Sequence, residues 1–541
     1  MASPLRLFFP HSHTTPTTSG NHGQPSRKSN GLAPARTNVS ATTPFRLHKS
    51  STPLLARRVV LTLHSELFSS ARHYMRLYLS VTVPCRYNAP TSGQGIDESL
   101  LYPALTRVVS AQPMLRVGIL GEDTSKAAFC HIKTIHLANH VSFETLDGCE
   151  TVDQYNEHIA SQQGWHHSQP WLNIQDVPPW RIAVVKPSPA ATGELSRVQE
   201  IIFSFHHALL DGNSGKLFHE NLLKELNHQL GQGAANTTTT TTATLQFPDA
   251  PRLPEAQDQI IAFQNSPWYL VKTLWNELGP PMLRAKKHIP WHSKPSDFSI
   301  PYVTLTKAVD FQGPIVAKLL KACRQHGTTI TGLFHALAAA SLASRLPAGE
   351  ASSFAASTPI SLRPFLGPAA DPEFKQSLRV LVTSQEHQFP APLVARLRTS
   401  KDADQSIWET AQRVKGELNR KVASVPKDDI NGLMKYNSDW IGYFKKKDGQ
   451  PRPDSWEVSN IGVFANPPEE AGFAVSRVCF TNGALVTGSP LALGLGSVAG
   501  GLLSVGISWQ ESVVGQEFID GLAGDLTEFV TRFNETGKFV V

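Results

Sequence analysis

The residues best suited to catalysis in this sequence are a histidine pair followed by an aspartate, in the stretch His206-His207-Ala208-Leu209-Leu210-Asp211-Gly212. The apolar run at 201–205 predicts a buried strand, and the pattern at 214–230 predicts a helix. A histidine at the end of a rigid strand suits a general base, because imidazole accepts a proton near neutral pH. Asp211 suits a structural role, because a carboxylate at a turn can pair with a buried cation. Gly212 is expected to provide backbone freedom.

The same spacing also fits a histidine of the core and an aspartate at a helix N-terminus, with no catalytic role. The surroundings favour the catalytic interpretation. Among the 21 histidines, His207 is the only one that an aspartate follows four positions later. A short motif is informative when its structural context agrees with it, and here a strand, a turn and a helix are all predicted.

The motif His-His-x-x-x-Asp-Gly resembles the active-site motif of the CoA-dependent acyltransferase superfamily, which includes chloramphenicol acetyltransferase, peptide-synthetase condensation domains and plant acyltransferases. More narrowly, the chain resembles the fungal alcohol acetyltransferase family. The resemblance covers roughly residues 61 to 535. Further segments match in the same order, namely 66–87, 178–185, 320–340, 359–365, 458–464 and 500–509.

The resemblance implies an α/β, two-lobed chloramphenicol-acetyltransferase-like fold, with mixed sheets flanked by helices and a tunnel between the lobes. We expect an N-terminal lobe with the motif at 61–290 and a C-terminal lobe at 300–541. A chain of 541 residues agrees with two lobes, because it exceeds what one core normally serves. Residues 1–60, rich in Ser, Thr and Pro and free of acidic residues, are expected to form a disordered extension. A mitochondrial targeting segment is the alternative.

The resemblance also implies a reaction, in which an acetyl group passes from acetyl-CoA, or another acyl-CoA, to an alcohol hydroxyl with His207 as general base. Two alternatives stay open: an acyltransferase of a fungal secondary-metabolite pathway, and a condensation-type amide-forming module that acts with a carrier protein. The expected partners are acyl-CoA as co-substrate and a small-molecule alcohol, with no tightly bound cofactor. The acceptor, the acyl chain length and the CoA-contacting residues stay unassigned.

Four further residues are candidates for supporting roles. Arg363 could pair with Asp211, as related enzymes pair the motif aspartate with an arginine, or it could be a surface arginine before a proline turn. Ser459 and Asn460 could donate hydrogen bonds where negative charge accumulates on the acyl carbonyl, or they could form a polar turn that caps a strand. His206 is expected to support the site through packing or a hydrogen bond.

Composition limits the possible partners and compartments. A net charge of +6 is modest for this length, and no basic run is interleaved with aromatic residues, so a nucleic-acid binder is not expected. Five widely spaced cysteines, an odd number, indicate free thiols in a reducing compartment. We therefore expect a cytoplasmic location, with mitochondrial or peripheral membrane association as the alternatives. The protein is also expected to be a monomer without a transmembrane segment.

Several segments invite other interpretations. The pair His166-His167 lacks a third ligand at suitable spacing, so we predict a loop and no metal site. The uncharged segment 483–509 contains seven glycines and a proline, which predict buried strands in place of a membrane span. A helix is predicted over 255–283, and a surface loop over the threonine-rich stretch 231–245. The crossing between the lobes is predicted between Lys286 and Tyr302.

Overall fold

The computed structural model describes residues 64–90, 93–188, 190–232, 243–278, 289–367, 370–399, 402–468 and 472–540. The predicted N-terminal extension at 1–60 lies outside the described residues. Most of the predicted threonine-rich loop and the beginning of the predicted lobe crossing also lie outside them.

The strands, in chain order, are β1 (Val81–Asn88), β2 (Val117–Leu120), β3 (Ala128–His131), β4 (Thr134–His136), β5 (Val141–Leu146), β6 (Trp180–Pro187), β7 (Val198–Phe205), β8 (Thr244–Gln246), β9 (Thr304–Phe311), β10 (Phe354–Ser361), β11 (Val382–Phe389), β12 (Trp456–Phe464), β13 (Ala474–Val478), β14 (Thr481–Asn482), β15 (Leu491–Val498) and β16 (Leu503–Gln510). The α-helices are α1 (His64–Tyr74), α2 (Glu98–Ala111), α3 (Val152–Ser168), α4 (Gly212–Gln232), α5 (Gln257–Ile260), α6 (Pro267–Leu278), α7 (Gly313–Gln325), α8 (Ile330–Arg345), α9 (Ala391–Thr399), α10 (Ala403–Ser424), α11 (Asn431–Met434), α12 (Trp440–Lys445) and α13 (Gln516–Thr536).

Two six-stranded mixed sheets form the framework. The first has the order β13-β1-β7-β6-β5, and β14 also pairs with β1. The second has the order β11-β10-β12-β15-β16-β9. Strands β13 and β14 come from the last fifth of the chain. They pair with β1 and complete the first sheet, whose other strands come from the first half of the chain. The mixed α/β architecture with helices on the sheets confirms the predicted fold class, while the lobe boundaries and the tunnel stay predictions.

Strand β7 leads into the histidine motif and is buried along its whole length. It lies between β1 and β6, and helices cover both of its faces. Phe203 stacks on Phe218 of α4 with 3.7 Å between ring centres, whereas Ile202 packs on the opposite face with Tyr155 of α3. Burial on both faces explains why the strand is apolar at Ile201, Ile202, Phe203 and Phe205, and it makes the strand end a rigid support.

The uncharged segment 483–509 forms strands β15 and β16, as predicted. Gly494 and Gly506 face each other across these strands. A Cβ atom on Gly494 would lie 2.1 Å from the Phe480 carbonyl oxygen, and one on Gly506 would lie 2.4 Å from it. Glycine at both positions therefore allows β15 and β16 to lie close to the backbone of Phe480. Within the described ranges, every helix is too short or too polar to span a lipid bilayer.

The predicted helix over 255–283 is wrong in one respect, because the chain forms two helices, α5 and α6, with a break at 261–266. Asp428 holds this break by accepting hydrogen bonds from the N–H of Ser266 at 2.6 Å and from its hydroxyl at 3.0 Å. Pro267 then begins α6, because proline lacks the N–H that continuation of α5 would require.

The predicted loop at His166-His167 is also wrong, because both residues lie in α3 and are buried. His167 contacts three hydroxyl groups. Its Nδ1 lies 2.9 Å from Ser80 Oγ, and its Nε2 lies 3.0 Å from Thr82 Oγ1 and 2.8 Å from Thr481 Oγ1. The histidine therefore joins the helix to polar groups of the first sheet, since buried polar groups require hydrogen-bond partners.

Candidate active site

The turn between β7 and α4 holds the histidine motif. Leu209 and Leu210 are fully buried and anchor the turn in the core, and the Leu209 N–H donates to the His206 carbonyl at 3.0 Å. Gly212 is the first residue of α4, and its φ is not left-handed. The expected role of Gly212 in backbone freedom is therefore wrong.

Space favours glycine at position 212. A Cβ atom there would lie 3.0 Å from Ile461 Cγ2 and 3.0 Å from two ring atoms of Phe480. Such separations are shorter than ordinary packing contacts, so even alanine would push these side chains away. The close contact brings β12, which carries Ile461, against the start of α4.

Asp211 has a separate partner for each carboxylate oxygen. Oδ1 accepts a hydrogen bond from the Ser214 N–H at 2.8 Å, so Asp211 caps α4. Oδ2 accepts from Arg363 Nη1 at 2.7 Å and from the Leu381 N–H at 2.9 Å. Burial acts to raise the pKa of Asp211, but the Arg363 cation and the N–H donors outweigh it and hold the pKa below its usual value. Asp211 thus both caps α4 and pairs with Arg363.

Arg363 reaches further into the same network. Its Nη2 donates to Ser214 Oγ at 2.9 Å and to the Arg379 carbonyl at 3.1 Å. Ser214 Oγ also accepts the Arg379 N–H at 3.0 Å. The turn before α4 is therefore tied to two segments of the second half of the chain, the turn after β10 and the segment before β11.

His206 belongs to a second buried network that sequence reasoning missed. Its Nδ1 accepts the Ala208 N–H at 2.9 Å, so its Nε2 carries the proton and donates to Glu122 Oε1 at 3.0 Å. His73 of α1 is arranged in the same way: Nε2 accepts the Trp171 N–H at 3.3 Å, and Nδ1 donates to Glu122 Oε2 at 2.8 Å. Two histidines therefore donate hydrogen bonds to one carboxylate.

The electrostatics of this cluster agree with that assignment. Burial opposes ionisation of Glu122, but the hydrogen bonds from His206 and His73 lower its pKa to about 2. Burial, followed by the neighbouring His73, lowers the pKa of His206 to about 4. At neutral pH the carboxylate is charged and His206 is neutral, as the hydrogen bonds require.

A metal ion is the alternative occupant of the cluster of His73, Glu122 and His206, whose ligand atoms lie within 4.8 Å of one another. A metal would need lone pairs on the two histidine nitrogens that face Glu122. The opposite ring nitrogens would then carry protons and would point at the backbone N–H groups of Ala208 and Trp171. Ligating histidines normally donate from that second nitrogen to an acceptor, so the arrangement favours hydrogen bonds over metal binding.

His207 differs from His206 because it remains partly exposed. Its Nδ1 is buried and bonds to no other described residue. The Tyr78 ring lies beside it, with 5.5 Å between ring centres. Burial, and then the charge of Arg72, lower the pKa of His207 to about 4, although its own backbone hydrogen bond acts in the opposite direction. The imidazole is therefore neutral at pH 7, and Nε2 is the nitrogen that remains able to take a proton.

Ser459 and Asn460 lie on β12, next to the residue that contacts Gly212. The Asn460 side chain is already engaged: Nδ2 donates to Thr331 Oγ1 at 3.1 Å, and Oδ1 accepts the Gly462 N–H at 2.8 Å. Within the described part of the chain, no hydrogen bond joins either side chain to His207. Of the predicted residues, Asp211 and Arg363 contact each other, and Asp211 lies in the same turn as His206 and His207. Ser459 and Asn460 lie on the neighbouring strand β12.

The residues that the sequence did not reveal come from α1, from the segment before β1 and from the turn after β2. They are Arg72, His73, Tyr78 and Glu122. The first three lie in the segment 66–87, which carries part of the family resemblance. That resemblance is the feature of the sequence that could have identified them. Nothing in the local pattern around Glu122 distinguishes it from a surface glutamate.

Comparison with known proteins places the chain in a family. The family model of alcohol acetyltransferase matches residues 168–534, which include the histidine motif, Arg363 and β12. The chain belongs to the alcohol acetyltransferase family. It is therefore an acyltransferase, as the motif predicted.

Two relatives of known sequence agree with this placement. A probable alcohol acetyltransferase, FCK4 of Fusarium pseudograminearum, is 27% identical over 88% of this chain and 95% of its own length. Another, crmB of Aspergillus fumigatus, is 22% identical over 86% of this chain and 98% of its own length.

Two solved structures share the fold. The trichothecene 15-O-acetyltransferase TRI3 of Fusarium sporotrichioides has a TM-score of 0.61 and 12% identity, over 88% of this chain and 95% of that chain. The first condensation domain of the CDA synthetase has a TM-score of 0.53 and 12% identity, over 88% and 96% of the two chains. These likenesses confirm the predicted fold, which the chain shares with an acetyltransferase and a condensation domain.

Proposed function

We propose that the protein transfers an acetyl group from acetyl-CoA to the hydroxyl of a small-molecule alcohol, forming an ester and free CoA. The observation that carries this proposal is the state of His207. The imidazole is neutral, its Nδ1 is enclosed, and a buried strand end holds it in place. Membership of the alcohol acetyltransferase family supports the choice of an alcohol acceptor and an acyl-CoA donor.

In the proposed reaction, Nε2 of His207 takes the hydroxyl proton while the alcohol oxygen attacks the thioester carbon. A tetrahedral oxyanion forms. The carbon–sulfur bond then breaks, the carbonyl is restored as an ester, and the imidazolium returns the proton to the CoA thiolate. A general base of this kind accelerates a reaction by about a hundredfold to ten-thousandfold.

Asp211 and Arg363 have a positioning role in this proposal. Asp211 presents no free oxygen to the reacting atoms, because its two oxygens accept hydrogen bonds from Ser214, Leu381 and Arg363. Their ion pair holds the turn that carries His207. Loss of the pair would therefore displace the imidazole, and small displacements are costly when a reaction depends on near-attack geometry.

Ser459 and Asn460 remain our candidates for stabilising the oxyanion. Their strand reaches the motif through the contact between Ile461 and Gly212. Asn460 has a second N–H on Nδ2 beyond the one that it donates to Thr331. Removal of one oxyanion donor typically costs about 3 to 4 kcal/mol of transition-state stabilisation.

Release of CoA thiol from acetyl-CoA, measured with and without a panel of primary alcohols, tests the proposal. We expect alcohol-dependent thiol release and an acetyl ester of matching mass. Condensation-type amide formation predicts the contrary result, namely no release with free acetyl-CoA and product only when an acyl carrier protein and an amine are supplied. The same assay with larger hydroxylated metabolites separates a general alcohol acetyltransferase from one dedicated to a secondary-metabolite acceptor.

A further inference from the structure

Arg72, on α1, places a cation close to the proposed base. Its guanidinium carbon lies 4.4 Å from the centre of the Phe68 ring and 4.6 Å from the centre of the Tyr78 ring. The Tyr78 ring in turn lies 5.5 Å from the His207 ring, measured between centres. The guanidinium and the imidazole therefore lie beside the same aromatic ring.

This cation lacks a partner of opposite charge among the described residues. Its hydrogen bond is a long one, from Nη2 to Ser69 Oγ at 3.4 Å, and its Nε is buried without an acceptor. Glu457 is the acidic group whose charge acts on Arg72, but burial raises the pKa of Glu457 to about 7. A partly buried cation without a firm counter-ion is unfavourable, and an anionic ligand would relieve this cost.

We propose that Arg72 binds a carboxylate of the acceptor, so that the acceptor is a hydroxy acid whose hydroxyl lies at His207. This inference rests on the proposed function. The guanidinium fork matches a carboxylate with two parallel hydrogen bonds. Phe68 and Tyr78 flank the guanidinium, and Trp440 meets Phe68 edge-on at 5.0 Å between ring centres. These rings suit an acceptor whose carbon skeleton is apolar.

CoA is the other source of negative charge in the reaction. Its phosphates are separated from the thioester by the whole pantetheine arm, whereas the thioester carbon must meet the acceptor oxygen at His207. An anion-binding group that lies beside the same ring as His207 is therefore placed for the acceptor. A phosphate of CoA bound at Arg72 would require the arm to fold back on the reacting carbon.

The test compares paired acceptors that differ in one charge. The para and meta isomers of (hydroxymethyl)benzoate and their methyl esters are used as acceptors with acetyl-CoA. We expect a higher kcat/KM for at least one acid than for its ester in the wild-type protein. We expect the acid-to-ester ratio to fall about tenfold to a hundredfold in Arg72→Met, because a charge-assisted hydrogen bond to the carboxylate is lost. Arg72→Lys should recover only part of the ratio, since ammonium lacks the fork.

Arg76 provides the matched control, because it is an exposed arginine just beyond the end of α1. Arg76→Met should leave the ratio at the wild-type value. The ratio also cancels any effect of Arg72 on the base that both acceptors share. A wild-type preference for the esters, or an unchanged ratio in Arg72→Met, would overturn the inference. A raised KM for acetyl-CoA in Arg72→Met, with an unchanged acid-to-ester ratio, would also overturn the inference. That result would assign Arg72 to a CoA phosphate.

Calorimetric titration of each acid and ester, without acetyl-CoA, gives a readout that does not depend on turnover. Tighter binding of an acid than of its ester, lost in Arg72→Met, supports the inference even if no thiol is released; that combination would contradict the proposed function alone. Alcohol-dependent thiol release with no preference for an acid, in turnover or in binding, would contradict the role of Arg72 alone. Absence of binding by all four compounds would also contradict the proposed role of Arg72.

Discussion

Asp211 and Arg363, which are 152 positions apart in the sequence, form an ion pair in which Nη1 lies 2.7 Å from Oδ2. Their side chains are only 6% and 15% exposed, so water screens the pair weakly. The pair joins the turn before α4 to the turn after β10. A contact between elements of the two main sheets thus holds the turn that carries the histidine motif.

We predict that Asp211→Asn and Arg363→Met each lower the free energy of unfolding by about 3 to 5 kcal/mol, because each leaves a buried group without its partner. The double variant should lose less than the sum of the single losses, as urea unfolding of all four proteins will show. The exposed pair Arg396 and Glu409 is a control that should show a coupling below about 1 kcal/mol. Losses at Asp211 and Arg363 that add within about 0.5 kcal/mol would contradict the ion pair.

His207→Ala should abolish acyl transfer while the protein stays folded, because the variant removes the proposed base and little of the core. His206→Ala should retain more activity and lose more stability, by about 1 to 3 kcal/mol, since it deletes a buried hydrogen-bond partner of Glu122. Thiol release and thermal unfolding on both variants measure these effects. A His207→Ala protein with most of the wild-type turnover would rule out the general-base role.

The pH dependence of kcat/KM should reflect the lowered pKa of about 4 for His207. A base acts in its unprotonated form, so activity should be constant between pH 6 and 8 and should fall only as the pH approaches about 4. An unperturbed histidine would lose half of its activity near pH 6.5. Initial rates measured at pH values where the fold is intact decide between the two, and a midpoint near 6.5 would contradict the prediction.

Gly212→Ala should lower both stability and turnover, with a stability loss of about 1 to 3 kcal/mol from overpacking against Ile461 and Phe480. Gly231, in the same helix, is the matched control, because a Cβ atom there would meet nothing within 4 Å. Gly231→Ala should stabilise the protein by up to about 1 kcal/mol. Denaturant unfolding compares the two, and equal effects would show that position 212 does not need glycine for space.

Glu122→Gln should lower the thermal midpoint, because glutamine offers one acceptor oxygen where two histidine N–H groups require acceptors. Treatment of the wild-type protein with EDTA should leave the midpoint unchanged. A metal-bound cluster predicts the reverse for EDTA, namely a lower midpoint that zinc restores. Glu122→Ala, which removes both acceptors, should lower the midpoint further than Glu122→Gln.

The sequence by itself determined the local parts of the site. The apolar run before His206, the turn and the following helical pattern predicted β7, the motif loop and α4, because burial and turn residues leave a periodic trace over a few positions. The uncharged segment 483–509 was identified as strands for the same reason, since its glycines and proline oppose a helix. The His-His-x-x-x-Asp-Gly motif also indicated the acyltransferase family correctly.

Only the tertiary structure decided which distant side chains meet. Glu122 lies 49 positions from His73 and 84 from His206, and no periodic pattern links positions so far apart. The role of Gly212 was misjudged because close packing against Ile461 leaves no trace in the local sequence. Arg72 stands in a helix whose pattern does not reveal which ring or charge it will meet. Hydrophobic periodicity reports how a segment is buried, whereas side-chain chemistry at a site depends on contacts that form only when separate segments pack together.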